Sequence, residues 1–231
     1  MPQYLAEITN NTFTMDKEES RHLKVARIHC GDEIKIFDAK GSKYLAKIQT
    51  LSDKAASGII LKPLPAPQLK TKITLYFSAV ARSAAEDIID KCTQAGVSIF
   101  VPVFSEYSDK DLLKKWQTKQ ERWQQIALAA CKQCENPSLP QIMPPVSFED
   151  AVKNLKTPAF ICYEDEEKTS LLTCLSKIKQ TSLAIFIGPE GGYTLNEIAL
   201  AKQYGVIAVS LGQNILRAET AATVACWAVQ Q

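Results

Sequence analysis

The sequence predicts a two-part α/β protein: a small antiparallel β unit over residues 1–68, then a parallel-sheet domain over 69–231. Three observations predict it. Short stretches with partial apolar–polar alternation, joined by turn residues, fill the front of the chain. Three prolines then crowd Lys62 to Lys70, which resists helix and central strand and reads as a semi-rigid connector. Past it, apolar runs of strand length alternate with helical patterns, the order that builds a parallel sheet.

Composition narrows the function classes. With 231 residues, 46% hydrophobic and 23% charged, the chain has material for one large core or two modest ones. The opening MPQYLAEITNNTF has no basic end followed by an apolar run, and no segment approaches the ~20 apolar residues of a membrane span. A cytoplasmic protein that does not meet a membrane is expected. The seven cysteines are an odd number set mostly in apolar patterns, which argues for reduced thiols. Cys131-Lys-Gln-Cys134 is a lone pair with only His22 and His29 elsewhere, so no metal site is expected. Net charge is +2, yet residues 1–72 hold 12 Lys and Arg against 8 Asp and Glu, the sign suited to a phosphate backbone.

Taken in order, Glu18 to Ile28 reads as a short helix with Arg21, Lys24 and Arg27 free to face solvent or RNA. Residues 33–37, 43–49 and 57–61 read as three strands, with Asp38-Ala-Lys-Gly41 as a hairpin connection. After the connector, Ile73 to Val80 is a strand, Ser83 an N-cap, Ala84 to Ala95 a helix ended by Gly96, and Val97 to Phe104 a second strand. Lys114 to Glu135 is a long amphipathic helix whose Trp116 and Trp123 turn toward a core. Ser147-Phe-Glu-Asp150 starts another helix, Ala159 to Tyr163 is a strand, and Thr169 to Lys179 a helix. Glu164 to Glu167 reads as a solvated acidic loop.

The informative part is the last fifth. The apolar run Leu183 to Ile187 stops at Gly188-Pro189-Glu190-Gly191-Gly192, and Thr194-Leu-Asn-Glu197 is a capping box that opens a helix with Leu195, Ile198, Ala199 and Ala201 on its apolar face. A second strand, Val206 to Leu211, meets Gly212 and passes into a helix from Leu216 with Glu219 in its first turn. If the two strands are neighbours in one parallel sheet, both turns open on the edge where α/β proteins bind ligands. The glycines let main chain approach a ligand without an intervening Cβ. The spacing matches neither the triphosphate loop nor the dinucleotide fingerprint and suits adenosine recognition by backbone.

GPEGG with its capping box, followed by LGQNILRAETAA at 211–222, resembles the signature of the SPOUT superclass of methyltransferases. Within it the chain is most similar to the bacterial 16S ribosomal RNA uridine-N3 methyltransferases. His22-Leu23, Val25-Ala26-Arg27 and Gly31-Asp32 stand where that family has His-Leu, Val-Leu-Arg and Gly-Asp. The resemblance implies a C-terminal trefoil knot, an N-terminal PUA-like barrel and a homodimer acting on 16S ribosomal RNA or the small ribosomal subunit. It implies S-adenosyl-L-methionine held by Ile187, Gly188, Pro189, Glu190, Gly191 and Gly192 of the first turn and by Leu211, Gly212, Ile215 and Leu216 of the second. Arg27, Arg82 and Lys91 occupy places that imply RNA contacts.

Methylation of uracil N3 requires loss of the imide proton, so a cation near the carbonyl oxygens and an acceptor for the proton are needed. Arg217 suits the first role, and Glu219 or Glu190 the second or the orientation of Arg217. Two departures stand out. Lys132 replaces the family's glutamate and the arginines expected near Asn136 are absent, which motivates a non-catalytic RNA-binding or ribosome-assembly factor as the alternative. A small-ligand enzyme that binds phosphate at the GPEGG turn is a third reading.

Overall fold

The structure is a computed structural model and describes residues 3–78, 82–109 and 116–231. It divides into two units: residues 1–68 with 128–139, and residues 69–127 with 140–231.

In the first unit, β1 (Gln3–Leu5), β2 (Glu7–Thr9), β3 (Thr12–Met15), β4 (Glu33–Phe37), β5 (Lys43–Leu51) and β6 (Ala56–Leu64) form one mixed sheet in the order β1-β4-β5-β6-β3-β2. The sequence reading found only the last three strands. The first three are three or four residues long and, in β2, mostly polar, below the length at which alternation can be recognised. Strand β6 also runs further than expected: Pro63 pairs with Tyr44, so the connector's first residues belong to the sheet. Helix α1 (Lys17–Val25) starts at Asp16, whose carboxylate accepts from the Glu19 N–H. It drops Leu23 into a core with Tyr4, Phe13, Met15, Ile34, Ile36 and Ile48. Each such side chain contributes about 1.5–3 kcal/mol by leaving water.

The segment 128–139 is held in this unit by buried polar bonds. Gln3 Nε2 donates to the carbonyls of Cys131 and Asn136 at 2.9 and 3.0 Å. Lys35 and Lys43 each donate to Glu135 at 2.7 Å, and Lys132 donates to the buried carboxylate of Glu19. The sequence reading assigned this whole stretch to the second part.

The second unit has β7 (Lys72–Ser78), α2 (Arg82–Gln94), β8 (Val97–Phe104), α3 (Trp116–Cys134, which continues into the first unit), β9 (Gln141–Ile142), β10 (Val146–Ser147), α4 (Phe148–Lys153), β11 (Ala159–Cys162), α5 (Leu171–Leu175), β12 (Ser182–Ile187), α6 (Leu195–Gln203), β13 (Ile207–Val209) and α7 (Ala218–Val229). Its strands are all parallel, in the order β10-β8-β7-β12-β11-β13, with β9 also on β8. Both faces are covered, which explains the continuous apolar runs. On one face Ala184 and Phe186 of β12 meet Phe148 and Val152 of α4 and Ile198 and Ala201 of α6. Helix α7 packs on α2, β7 and β12, and Phe77 meets Trp123 of α3.

Several boundaries differ from the sequence reading. Ser83 lies inside α2, which begins at Arg82, so it is not the N-cap. Helix α5 has only five residues. Helix α7 begins at Ala218 with Arg217 as its N-cap, not at Leu216. On α6, Leu195 is exposed and the buried stripe is Ile198 and Ala201. The expected helix start at Lys114 and strand end at Val80 lie outside the described residues.

Candidate active site

The two glycine turns sit at one edge of the second unit's sheet, but their strands are not neighbours. β11 lies between them, pairing with β12 through Ile161 and Phe186 and with β13 through Cys162 and Val209. Because all three strands are parallel, their C-terminal ends still open on the same edge, where chain leaving the strands leaves a crevice. A third loop, Tyr163 and Glu164, therefore enters the site.

Each wall is fixed locally. The first turn closes when the Gly192 N–H donates to the Pro189 carbonyl at 2.9 Å, and Gly192 has φ +71°, a conformation that glycine adopts without strain. Thr194 and Glu197 form the expected capping box, with the Glu197 carboxylate accepting from the Thr194 N–H at 2.9 Å and the Thr194 hydroxyl accepting from the Glu197 N–H at 3.2 Å. The second turn is held by Ser210, whose N–H donates to the Thr169 carbonyl at 2.8 Å and whose hydroxyl accepts from the Gly212 N–H at 3.2 Å. Gly212 has φ +131°, and the space where a Cβ would stand is open. The third loop is tied to β13 by the Tyr163 N–H, which donates to the Val209 carbonyl at 3.1 Å.

Between the three lies a cavity of about 850 Å³. Ile187, Gly188, Pro189, Glu190, Gly191 and Gly192 line one side, Leu211, Gly212, Ile215 and Leu216 another, and Arg217 and Glu219 the start of α7. All twelve residues named for cofactor and chemistry thus border one space. Arg217 is exposed and its side chain makes no cap bond; the described residues contain no ion pair between it and Glu219. Cys162, Tyr163, Glu164, Ser210 and, from α2, Asp87 also line the wall, and the sequence does not single them out for it. The available signal was an acidic run directly after a buried strand in a parallel sheet; what was lacking was the strand order. Desolvation pushes the Cys162 thiol up to about 12, so it is no thiolate nucleophile at neutral pH.

Two of the RNA candidates, Arg27 and Lys91, do not line this cavity. Arg27, in the first unit, is exposed just past α1 at φ +58°. Arg82 opens α2, but its side chain lies outside the described residues. Lys91 is not on the cavity wall; it donates to Asp87 at 2.9 Å and borders a shallower hollow with Val224 and Trp227.

A family model described as an RNA methyltransferase domain matches residues 67–230, and one described as an RNA methyltransferase PUA domain matches residues 16–61. Ribosomal RNA small subunit methyltransferase E of Synechocystis sp. is 32% identical over 95% of this chain and 73% of its own length, and that of Bacillus subtilis 30% identical over 96% and 93%. The chain belongs to this family of RNA methyltransferases. Its fold agrees with a solved member: ribosomal RNA small subunit methyltransferase E from Neisseria gonorrhoeae, bound to S-adenosyl methionine, superposes with a TM-score of 0.89 at 27% identity, covering 100% of this chain and 97% of that one. In the terms of this family, the first unit's sheet is the PUA-like part and the second unit the SPOUT-type methyltransferase domain. Lys132, which stands where the resemblance expects a glutamate, pairs with Glu19 within the first unit. No metal-holding group of His, Cys, Asp and Glu occurs among the described residues, and no described helix is long and apolar enough to cross a membrane.

Proposed function

We propose that the chain methylates N3 of a uridine in 16S ribosomal RNA in the cytoplasm, with S-adenosyl-L-methionine as donor. The observation that carries this reading is the convergence of both glycine turns and Arg217 on one cavity. Its volume is that of a site for a ligand of nucleoside size. Open space beside the Gly212 backbone leaves main chain accessible to an adenosine. The residues fit the donor: the two turns would hold it, and when bound it supplies an electrophilic methyl group on a sulfonium sulfur.

The chain's own residues supply the rest. The Arg217 guanidinium, on the exposed rim, stabilises negative charge on the uracil oxygens as the imide proton leaves. Glu219, two residues on and lining the same cavity, accepts that proton. Arg27 and Arg82 contact RNA; Lys91 is the weaker candidate because its ammonium engages Asp87.

Two features that the resemblance implies also find support. β13 lies outside β11, whereas α7 packs back on β12, β7 and α2, so the chain after β13 recrosses the sheet edge as the expected trefoil knot requires. Trp227 and Val224 of α7 are exposed beside Ala95, just past the end of α2, an apolar patch suited to the second copy in a homodimer. The test of the function is mass spectrometry of 16S ribosomal RNA from cells with and without the gene. One N3-methyluridine should disappear and return with the purified protein and S-adenosyl-L-methionine; an unchanged nucleoside profile rules the reading out.

A further inference from the structure

Three of the four acids after β11 do different work. Asp165 accepts from the Tyr163 phenol at 2.9 Å, and Glu166 accepts from the N–H groups of Lys168 and Thr169 at 3.0 and 2.9 Å, so both are turned to their own loop. Glu164 enters the cavity instead. Its carboxylate occupies the space in which a side chain at position 192 would begin: a Cβ there would stand 1.9 Å from Glu164 Oε1. Gly192 thus seats this acid against the first turn.

The sign of the charge needs a reason. Among the described residues the cavity is lined by four acids, Asp87, Glu164, Glu190 and Glu219, against one guanidinium, that of Arg217. Asp87 is paired with Lys91, and Glu219 lies in the first turn of α7, where the helix dipole favours an anion. Glu164 is exposed to solvent and has no cation within ion-pair distance among the described residues, so its charge is free to meet that of a ligand. A negative wall repels phosphate, so apart from the uracil contacts given to Arg217 and Glu219 it does not serve RNA. It suits a cation.

We propose that Glu164 is the residue by which the site reads ligand charge, favouring a sulfonium-bearing donor over its neutral thioether product. The proposal rests on the methyl-transfer reading above and deepens it. Loss of the methyl group removes one positive charge from the ligand, so the carboxylate that helps draw the donor in holds the spent product no longer. An enzyme working against accumulated product gains by that difference.

Calorimetric binding of S-adenosylmethionine and S-adenosylhomocysteine to the full chain tests it. In Glu164→Gln, of equal size and no charge, donor affinity should fall about tenfold, a change of ~1.4 kcal/mol, while product affinity stays within about twofold. Glu167→Gln, in the same loop, should alter neither. Equal weakening of both ligands would make Glu164 a neutral hydrogen-bond acceptor, and no change would make it a bystander; either overturns the proposal. If the Gln variant does not fold, salt titration of the unaltered protein decides: donor affinity should fall with ionic strength more steeply than product affinity, and parallel slopes overturn it. Failure of the unaltered protein to bind S-adenosylmethionine at all would instead sink the methyl-transfer reading, a separate result.

Discussion

The carboxylate of Glu197 accepts a 2.9 Å hydrogen bond from the backbone N–H of Glu106, while its other oxygen takes the N–H of Thr194. One side chain therefore closes the capping box of α6 and ties the start of that helix to the loop after β8. The first glycine turn hangs between β12 and this helix start. Glu197→Ala removes two acceptors at once, and loss of such a cap costs about 1–2 kcal/mol. Urea unfolding should show that loss, and S-adenosylmethionine should bind several-fold more weakly. Unchanged binding with lowered stability would mean that the turn holds its shape without its anchor.

Glu19 is 4% exposed and receives Lys132, with the Leu5 N–H at 3.3 Å as a further donor. Removing one partner of a buried pair strands the other charge, which costs about 3–5 kcal/mol. Lys132→Met should therefore destabilise by ~3 kcal/mol, and Glu19→Gln in the same chain should restore most of it. A double-mutant cycle with coupling below about 0.5 kcal/mol would show that the pair contributes nothing.

Glu135 is held well below the ordinary carboxylate value, at about 2 against 4.5, by hydrogen bonds from Lys35 and then Lys43. A depressed folded-state value means that the unfolded chain binds the proton more readily, so the contribution is complete above pH ~4.5 and fades as pH falls toward ~2. Solvent reaches the pair, which limits the effect to about 1 kcal/mol. Glu135→Gln should lower stability near neutral pH and flatten its decline over that acid window, measured by urea midpoints. A variant with the same acid profile as the parent would place the protons elsewhere.

Much of the site was legible because its signals are local. Gly188, Gly191, Gly192 and Gly212, the Thr194–Glu197 box and the apolar runs before them mark two strand–turn–helix units within fifty residues, and the structure puts the named residues on one cavity. Strand order is not local. Nothing in Ala159–Cys162 says that it will lie between β12 and β13, so Glu164 read as a solvated loop residue although it faces the ligand space. The same reason hid the tie between residues 128–139 and the first unit: Gln3 and Glu19 find Cys131, Asn136 and Lys132 more than a hundred residues away. Ser83 failed differently. The expected helix starts at Ala84, but α2 already includes Arg82 and Ser83.

Trp227 is 56% exposed on α7, bordering one hollow with Val224, with Lys91 and Gln94 of α2 and with Ala95 just past it. A tryptophan left in water is a poor use of apolar surface unless a partner covers it. Trp227→Glu should turn a dimer into a monomer in sedimentation velocity, with little change in the far-ultraviolet spectrum. A chain that sediments as a monomer before the change would remove the basis for a homodimer.

In the proposed function Arg217 is the residue on which the chemistry turns, and its position makes the test clean. It is the N-cap of α7, but its side chain makes no cap hydrogen bond, so truncating it leaves the helix start intact. It is exposed, so no cavity opens in a core. Arg217→Ala should bind S-adenosylmethionine within about twofold of the parent. Single-turnover methylation of 16S ribosomal RNA should fall by about 10²–10³, the scale on which removing one preorganised donor to developing charge acts. Arg217→Lys, which keeps the charge but loses the planar fork, should recover part of the rate. If the Ala variant turned over at the parent's rate, charge on the uracil oxygens would have to be met by another group, and Arg217 would be an ordinary surface cation at a helix start.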